Sequence, residues 1–511
     1  MNPLLLTDGY KTGHHQQYPQ GTTLVYSNFT PRSNKYAPKG CDQVVSFGQQ
    51  MIMKQIHEAF QNEFFSKPKD EVCGEMKREL SMYLGTEYDV THFEQLHDLG
   101  YLPIAVKGIE EGTLVPIKVP VLTIYNTLPD FYWVTNYLET IISNLLWKPM
   151  TSATIAHTYR KVLTKWQEKT DAEKGWFVDW QGHDFSMRGM DSVEATIASG
   201  LGHLTSFSGT DSLPAIYGAR KFYGEKEFVG GSVNATEHSV MCAGSKDDEV
   251  GTFRRLLETY PTGILSVVSD TWDLWKVCTE HVVTLKEEIL ARDGKLVIRP
   301  DSGDPVDILC GTRDSIDRDW AGTPEQKGVI ELLWDVFGGT TNEQGYKVLD
   351  SHIGAIYGDS ITIERADEIC KRLAAKGFAS TNVVLGIGSF TYQFNTRDTF
   401  GFAMKATYVE LKRWDVATER LNKAFNKNAN PEWIEGREIF KDPITDDGTK
   451  KSATGLLSVN YIIGEYDDKP SLFLMDKCSW EDEDMGELKT IYKDGEFYNE
   501  TTLTEIKNRL K

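Results

Sequence analysis

An α/β fold, a β/α barrel or a related doubly wound sheet joined to a separate α+β region, is what this sequence predicts, and three observations predict it. After Thr170 short apolar segments recur, each ending in Asp, Gly, Ser or His and each followed by a helical stretch, which is the rhythm of parallel strands and crossover helices. Within that rhythm Leu296, Val297 and Ile298 form an apolar run without alternation, as a parallel strand covered on both faces requires. Pro300 stops the run, Ser302 and Gly303 suit a tight turn, and Pro305 suits the first position of a helix. Arg299, Asp301 and Asp304 are thereby left at the carboxyl end of the strand, where such sheets place their chemistry. The third observation is a contrast: residues 1–150 mix helices and strands without that repeat, as an α+β region does.

In chain order, residues 24–29 and 44–47 favour strands, and 49–65 reads as an amphipathic helix with Met, Ile and Phe on one side. Helices are predicted over 71–84 and 90–99, and the Gly- and Pro-punctuated stretch 104–125 reads as strands joined by turns. Two aromatic-rich helices, 130–146 and 151–169, are separated by Pro149, which places a domain boundary at residue 150. The barrel then occupies 151–407. Its strand ends read His183-Asp184-Phe185 through Arg188 and Gly189, Ser208 through Asp211, Glu237-His238-Ser239, Ser266 through Asp270, Arg299-Pro300-Asp301, Gly358-Asp359 and Gly386-Ile387-Gly388. Polar endings of similar kind on several independent elements imply one shared mouth. Residues 408–436, charged and Asn-rich with helical stretches, are predicted to form a surface insertion. The segment 437–511 carries Lys441, Lys450 and Lys451, short strands, a solvated acidic run from Glu481 to Asp484 and a final helix from about residue 504.

Composition narrows the function. With 40% hydrophobic and 25% charged residues, a chain of 511 residues has ample material for two or three folded domains. A formal net charge of -20 argues against a general binder of nucleic acid or anionic membrane, while leaving room for a local basic pocket. The opening apolar run is too short for a signal peptide and no long charge-free apolar segment follows, so no membrane span is expected. Cys41, Cys73, Cys242, Cys278, Cys310, Cys370 and Cys478 are odd in number and include no C-x-x-C pair, which reads as reduced thiols in a cytoplasmic protein. The N-x-[ST] matches at Asn28, Asn234 and Asn499 then carry no glycosylation signal.

No G-x-x-x-x-G-K-[ST] loop is present, and Gly386-Ile387-Gly388 lacks the third glycine of a dinucleotide fingerprint. The strand ends offer Arg188, Arg299 and Arg397 for phosphate oxygens, Asp270, Asp301 and Asp359 for hydroxyls or Mg²⁺, and Gly388 for backbone N–H donors, a set that suits a phosphorylated sugar. Phe185, beside Asp184 and Arg188, reads either as core or as a surface for stacking a flat ring. His238 has no second histidine at metal spacing, so zinc is disfavoured; Glu237 and Ser239 are placed to orient one ring nitrogen and leave the other as base, acid or nucleophile.

Asn2-Pro-Leu-Leu-Leu-Thr-Asp-Gly-Tyr-Lys11, His183-Asp-Phe185, Gly209-Thr-Asp211, Glu237-His-Ser239, Val268-Ser-Asp270, Arg299-Pro-Asp-Ser-Gly303 and Phe440-Lys-Asp-Pro443 occur in this order, and with them the chain resembles the nicotinamide phosphoribosyltransferases. The resemblance runs from the N-terminus to about Thr407 and resumes at about Arg437. It implies the type II phosphoribosyltransferase fold, an irregular α/β barrel beside an α+β domain formed by both chain ends, working as a homodimer with shared active sites. It implies transfer of phosphoribosyl from 5-phosphoribosyl-1-pyrophosphate to nicotinamide with Mg²⁺, coupled to ATP hydrolysis through a phosphorylated histidine that matches His238. Phe185 matches the residue stacking on the pyridine ring, Tyr10 the aromatic that the partner subunit supplies, and Asp211 the carboxylate beside the amide. Arg188, Arg299, Asp301, Gly358, Asp359, Arg397 and Lys405 match residues around ribose and phosphates, and Asp270 and Asp8 match acidic residues at the same mouth; the residues that hold Mg²⁺ are not identified. The chain departs from the family pattern at Ser186-Met187, where Gly-Tyr is frequent, at Gly388-Ser389-Phe390, which replaces a longer glycine run, and in a longer segment over 411–435.

Two other readings stand beside this one. A nicotinate phosphoribosyltransferase would share the architecture, and Asp211 argues against it because an ionised carboxylate repels nicotinate. Asp211 has a plainer reading of its own, as the N-cap of a helix beginning at Ser212. A catalytically silent binding or signalling protein on the same scaffold is disfavoured by the joint presence of His238, Arg299 and Asp301.

Overall fold

A computed structural model describes residues 1–312, 322–358, 360–425, 429–441, 444–445, 453–463 and 470–511; Asp359, Lys450 and Lys451 lie outside them. The chain divides into two compact units, one of residues 1–37, 41–151 and 396–510 and one of 38–40, 152–395 and 511. The first unit is therefore α+β and formed by both chain ends.

Its centre is a seven-stranded antiparallel sheet ordered Glu432–Glu438, Ala403–Trp414, Thr22–Thr30, Leu122–Asn126, Ile104–Gly108, Lys489–Lys493, Glu496–Phe497. Thr22–Thr30 pairs with Leu122–Asn126 on one side and with Ala403–Trp414 on the other, so the N-terminal strand is covered by a strand from the far end of the chain. Burial of Val25, Tyr26 and Phe29 on consecutive and alternate positions shows that both faces of that strand are packed. The segment expected as a surface insertion instead lengthens this sheet: Ala403–Trp414 and Glu432–Glu438 pair over seven positions from Tyr408–Glu438 to Trp414–Glu432, and neither that edge strand nor the helix Val416–Phe425 between them has a buried residue. Charge misleads there because Glu432–Glu438 is an edge strand, where charged side chains are the usual guard against further pairing.

The expected break at Pro149 does not occur. One helix, Tyr132–Thr170, spans that point with Pro149 inside it. A proline removes one backbone donor, and this helix buries Leu146, Met150 and Ala153 completely around that point, so packing outweighs the missing bond. Gly48 makes room for the ring, since a Cβ there would lie 2.7 Å from Pro149 Cγ.

The second unit is built on a seven-stranded parallel sheet ordered Gly209–Thr210, Gly182–Asp184, Val383–Ile387, Ile353–Tyr357, Asp293–Arg299, Thr262–Val268, Asn234–Ala235. A parallel bridge from Gly209 to Gly231, just before Asn234–Ala235, links the two edges and curls the sheet into an irregular barrel. Leu265, Val267, Leu296, Ile298, Ile353, Leu385 and Ile387 are buried in its core, which fixes the register and points every strand's carboxyl end the same way. Asp304 caps the helix Pro305–Cys310 by accepting from the amides of Val306 (2.9 Å) and Asp307 (3.2 Å), so it is structural. All seven cysteines are free thiols. Among the described residues no helix is long and apolar enough to cross a membrane.

Candidate active site

The strand Asp293–Arg299 delivers Arg299, then Asp301, to the mouth of the parallel sheet. Beside it, the strand Thr262–Val268 delivers Asp270, whose Oδ2 accepts from the Asp301 amide (2.8 Å), the Ser302 amide (2.7 Å) and Ser302 Oγ (2.6 Å). Three donors on one oxygen fix its direction. The other oxygen, Oδ1, is buried and has no hydrogen-bond partner among the described residues, and the same is true of Asp301 Oδ1 and Arg299 Nε. Buried polar atoms are nearly always satisfied, so three orphans converging on one mouth mark a place prepared for a polar ligand. Gly358, at the end of Ile353–Tyr357, allows the convergence: a Cβ there would overlap Asp301 Oδ1 and come within 2.8 Å of Arg299 Nε.

His238 opens the helix His238–Ala243, half-exposed, with Nε2 3.9 Å from Asp270 Oδ1 and 3.8 Å from Asp301 Oδ2. Its Nδ1 pairs with Thr271 Oγ1 at 3.2 Å. The neighbours expected to orient the ring do something else, because Ser239 donates to Glu237. Thr271, from the adjacent strand end, is the residue that fixes the imidazole.

The strand Gly182–Asp184 ends in an aromatic site. Asp184 is fully buried and holds the turn through the Ser186 amide (2.9 Å), and the Phe185 amide continues the sheet to Ile387 O (2.9 Å). The Phe185 ring meets the Arg299 guanidinium at 4.7 Å from its centroid and the His183 ring at 4.5 Å. His183 Nε2 lies 2.9 Å from Asp211 Oδ1. Burial pushes the Asp211 carboxyl up, but hydrogen bonds from His183 and Ser232 and the charges of His183 and Arg299 outweigh it and leave the group below its ordinary range. Asp211 is not a helix cap: the next helix is Leu213–Tyr223, its N-cap is Ser212, and no side chain caps it. Its carboxylate is therefore available to a ligand.

Arg188 lies exposed on the turn Met187–Gly189, and Gly388 is buried at the end of Val383–Ile387, preceding the helix Ser389–Gln393. The parallel sheet thus carries His183, Phe185, Arg188, Asp211, His238, Asp270, Arg299, Asp301, Gly358 and Gly388 at carboxyl ends of strands. Among the described residues no three His, Cys, Asp or Glu side chains group to hold a metal by themselves.

Of the remaining predicted residues, Asp359 lies outside the described ones, and Asp8, Tyr10, Arg397 and Lys405 belong to the first unit. Tyr10, 67% exposed, shares its segment with Asp8, whose Oδ2 accepts from Thr140 Oγ1 (2.7 Å) and lies 3.4 Å from the Tyr10 hydroxyl. Lys11 anchors that segment through a buried pair with Glu139 (2.7 Å) and a bond to Asn136 O (2.8 Å). Elsewhere in this unit Lys405 is held below the ordinary lysine range by burial and then by Arg32, Lys441 and Arg397 nearby, with Glu139 opposing. Arg32 is placed by its amide and Nε, which bond to Phe400 O (3.0 Å) and Gly401 O (3.2 Å). Arg32, Thr271, Ser232 and the roles of Ser302 and His183 are absent from the sequence reading. Ser302 was named there as a turn residue and His183 as a neighbour of Phe185; the others act across pairs of distant segments.

Residues 180–495 match the model of the nicotinate phosphoribosyltransferase (NAPRTase) family, and residues 2–74 match that of the nicotinamide phosphoribosyltransferase N-terminal domain. The chain is 48% identical over 522 residues to the nicotinamide phosphoribosyltransferase of Acinetobacter baylyi, covering 100% of this chain and 97% of the relative. It is 33% identical over 470 residues to that of Mycoplasma pneumoniae, covering 88% and 94%. Among solved structures, it is similar in fold to the nicotinate-nucleotide pyrophosphorylase of Pyrococcus furiosus, with a TM-score of 0.53 at 14% identity over 100% of this chain and 95% of that one. Human nicotinic acid phosphoribosyltransferase gives 0.51 at 13% identity over 99% and 92%.

Proposed function

The chain belongs to the nicotinate phosphoribosyltransferase family, and from that premise we propose that it transfers the phosphoribosyl group of 5-phosphoribosyl-1-pyrophosphate to nicotinamide, giving nicotinamide mononucleotide and pyrophosphate in NAD salvage. The observation that carries the choice of substrate is Asp211, ionised, accessible and bonded to the His183 ring that packs on Phe185. The pyridine ring stacks on Phe185 after displacing the Arg299 guanidinium, and the amide NH₂ donates to Asp211, which as a carboxylate has no donor to offer nicotinate.

The ring nitrogen attacks C1 of the ribose as the bond to pyrophosphate breaks and its electron pair leaves with the pyrophosphate. Positive charge develops on the sugar and is met by Asp301 and Asp270, while Arg299 and Arg188 hold phosphate oxygens. Positioning supplies most of the rate, since no covalent intermediate on the sugar is needed. The two buried, partnerless carboxylate oxygens, Asp270 Oδ1 and Asp301 Oδ1, fit a Mg²⁺ ion that completes its shell with substrate phosphates and water, as this ion commonly does. Bound there, it would supply positive charge against the leaving group.

ATP coupling is read onto His238. With Nδ1 engaged by Thr271, Nε2 is the nitrogen offered to a γ-phosphoryl group, forming an N–P bond as ADP leaves. The active unit is read as a homodimer in which Tyr10 of one subunit covers the ring stacked on Phe185 of the other, and Arg32, Arg397 and Lys405 face substrate phosphates. Supplying nicotinamide, nicotinic acid and quinolinic acid side by side, with and without ATP, tests the whole assignment. Mononucleotide is expected from nicotinamide, faster with ATP; preferential use of either acid would overturn it.

A further inference from the structure

The geometry points to His183 as a positioning residue that sets the preference for an amide over a carboxylate, by donating Nε2–H to Asp211 Oδ1 and leaving the other oxygen as the one the substrate meets. This inference rests on the reading of Asp211 given above.

Three features hold His183 where it is. The imidazole lies against Phe185 at 4.5 Å with a 34° tilt, so the ring that carries the substrate also backs the histidine. Its opposite edge faces Gly209, where a Cβ would lie 2.7 Å from Nδ1; the glycine lets the ring sit flush against the neighbouring strand. The side chain is 10% exposed, against 40% for Asp211, so the histidine is enclosed and the carboxylate reaches outward past it. Held by His183 at one oxygen and by the Ser232 hydrogen bond besides, the carboxylate presents a fixed direction; left to Ser232 alone it rotates more freely and can turn its charge aside.

The tether also keeps the carboxylate charged. The titratable and charged groups against Asp211 are His183, from Gly182–Asp184, and Arg299, from Asp293–Arg299, and both favour its ionised form, as does the Ser232 hydrogen bond. Were Asp211 protonated it would gain a donor and could accept a carboxylate substrate. Its depressed range therefore extends the amide preference into acid; the preference is lost only as pH falls through that lowered value, and removing His183 should raise the pH at which it is lost.

The test measures kcat/KM for nicotinamide and nicotinate across pH in wild type, His183→Ala, His183→Asn, Asp211→Asn and the His183→Ala/Asp211→Asn double variant. The expected result for His183→Ala is a nicotinamide-to-nicotinate ratio lowered roughly tenfold, the worth of one well-placed hydrogen bond to a charge, mainly through the nicotinamide KM. The KM for 5-phosphoribosyl-1-pyrophosphate should be unchanged, and the acid limb of the ratio should move to higher pH. Asparagine at 183 should recover part of the ratio by supplying a donor, and the double variant should match Asp211→Asn alone. If alanine at 183 prevents folding, His183→Phe, which keeps an aromatic ring and removes the donor, carries the same comparison. A ratio and acid limb unchanged in the variant that lacks the donor, with Asp211→Asn altered, overturns the inference alone. An unaltered ratio in Asp211→Asn overturns the Asp211 reading beneath it.

Discussion

The two groups of site residues are assembled by different kinds of sheet. In the parallel unit each strand contributes its own carboxyl end, so His183, Asp211, His238, Asp270, Asp301 and Gly358 arrive by one repeated device. In the antiparallel unit the cationic group is assembled by long-range pairing: Arg32 follows the strand Thr22–Thr30, Lys405 lies on Ala403–Trp414 opposite Asn28, and Arg397 precedes that strand. The parallel group places carboxylates and an imidazole within reach of one another, as bond-making requires; the antiparallel group places like charges together, which suits holding an anion. On the proposed roles, topology separates the chemical step from substrate capture, and that separation can be tested.

The largest effect is expected at His238. His238→Ala should abolish ATP hydrolysis while slow ATP-independent formation of nicotinamide mononucleotide persists, because ring stacking and leaving-group stabilisation lie on other strands; ATP hydrolysis at the wild-type rate in a folded variant would sink the assignment. Next is Gly358→Ala, which must displace Asp301 or Arg299 and should lower kcat/KM by about a hundredfold, as misplacement of roughly 1 Å can. A melting temperature near wild type is expected alongside, since the added methyl group meets the mouth and not the core. In the antiparallel group Arg32→Ala should raise the KM for 5-phosphoribosyl-1-pyrophosphate about tenfold, the scale of a charge-assisted bond, with kcat nearly unchanged. A fall in kcat with constant KM would show that this group also serves the chemical step. The smallest effect is expected on mixing Tyr10→Ala with Phe185→Ala subunits. Each mixed dimer should carry one site with both aromatics and recover about half of the wild-type activity, whereas inactive, verified mixed dimers would mean that each chain builds its own site.

The same contrast explains what could be read from the residues alone. Arg299, Asp301 and His238 were legible because a parallel strand announces its own end: an apolar run, then Pro, Gly or polar residues. The binding partners of those residues were not, since Asp270 and Ser302 or His238 and Thr271 meet only once neighbouring strands are in register. Arg32 was invisible for a stronger reason, as its grouping with Arg397 and Lys405 needs the pairing of opposite chain ends. Local rules failed at Pro149, where burial overrides a helix breaker, and over 408–436, where an edge strand's charge resembles that of a loop.

The covering of Thr22–Thr30 by Ala403–Trp414 also sets a timetable. Roughly 370 residues separate Thr30 from its partner Ala403, and at ribosomal speeds that is a wait of about 20 to 75 s. For that interval the nascent chain holds a strand with one unpaired edge while the whole parallel unit is synthesised. A transcript truncated before residue 403 leaves the edge permanently open, a template for aggregation, so premature termination should yield insoluble fragments and not a smaller folded enzyme.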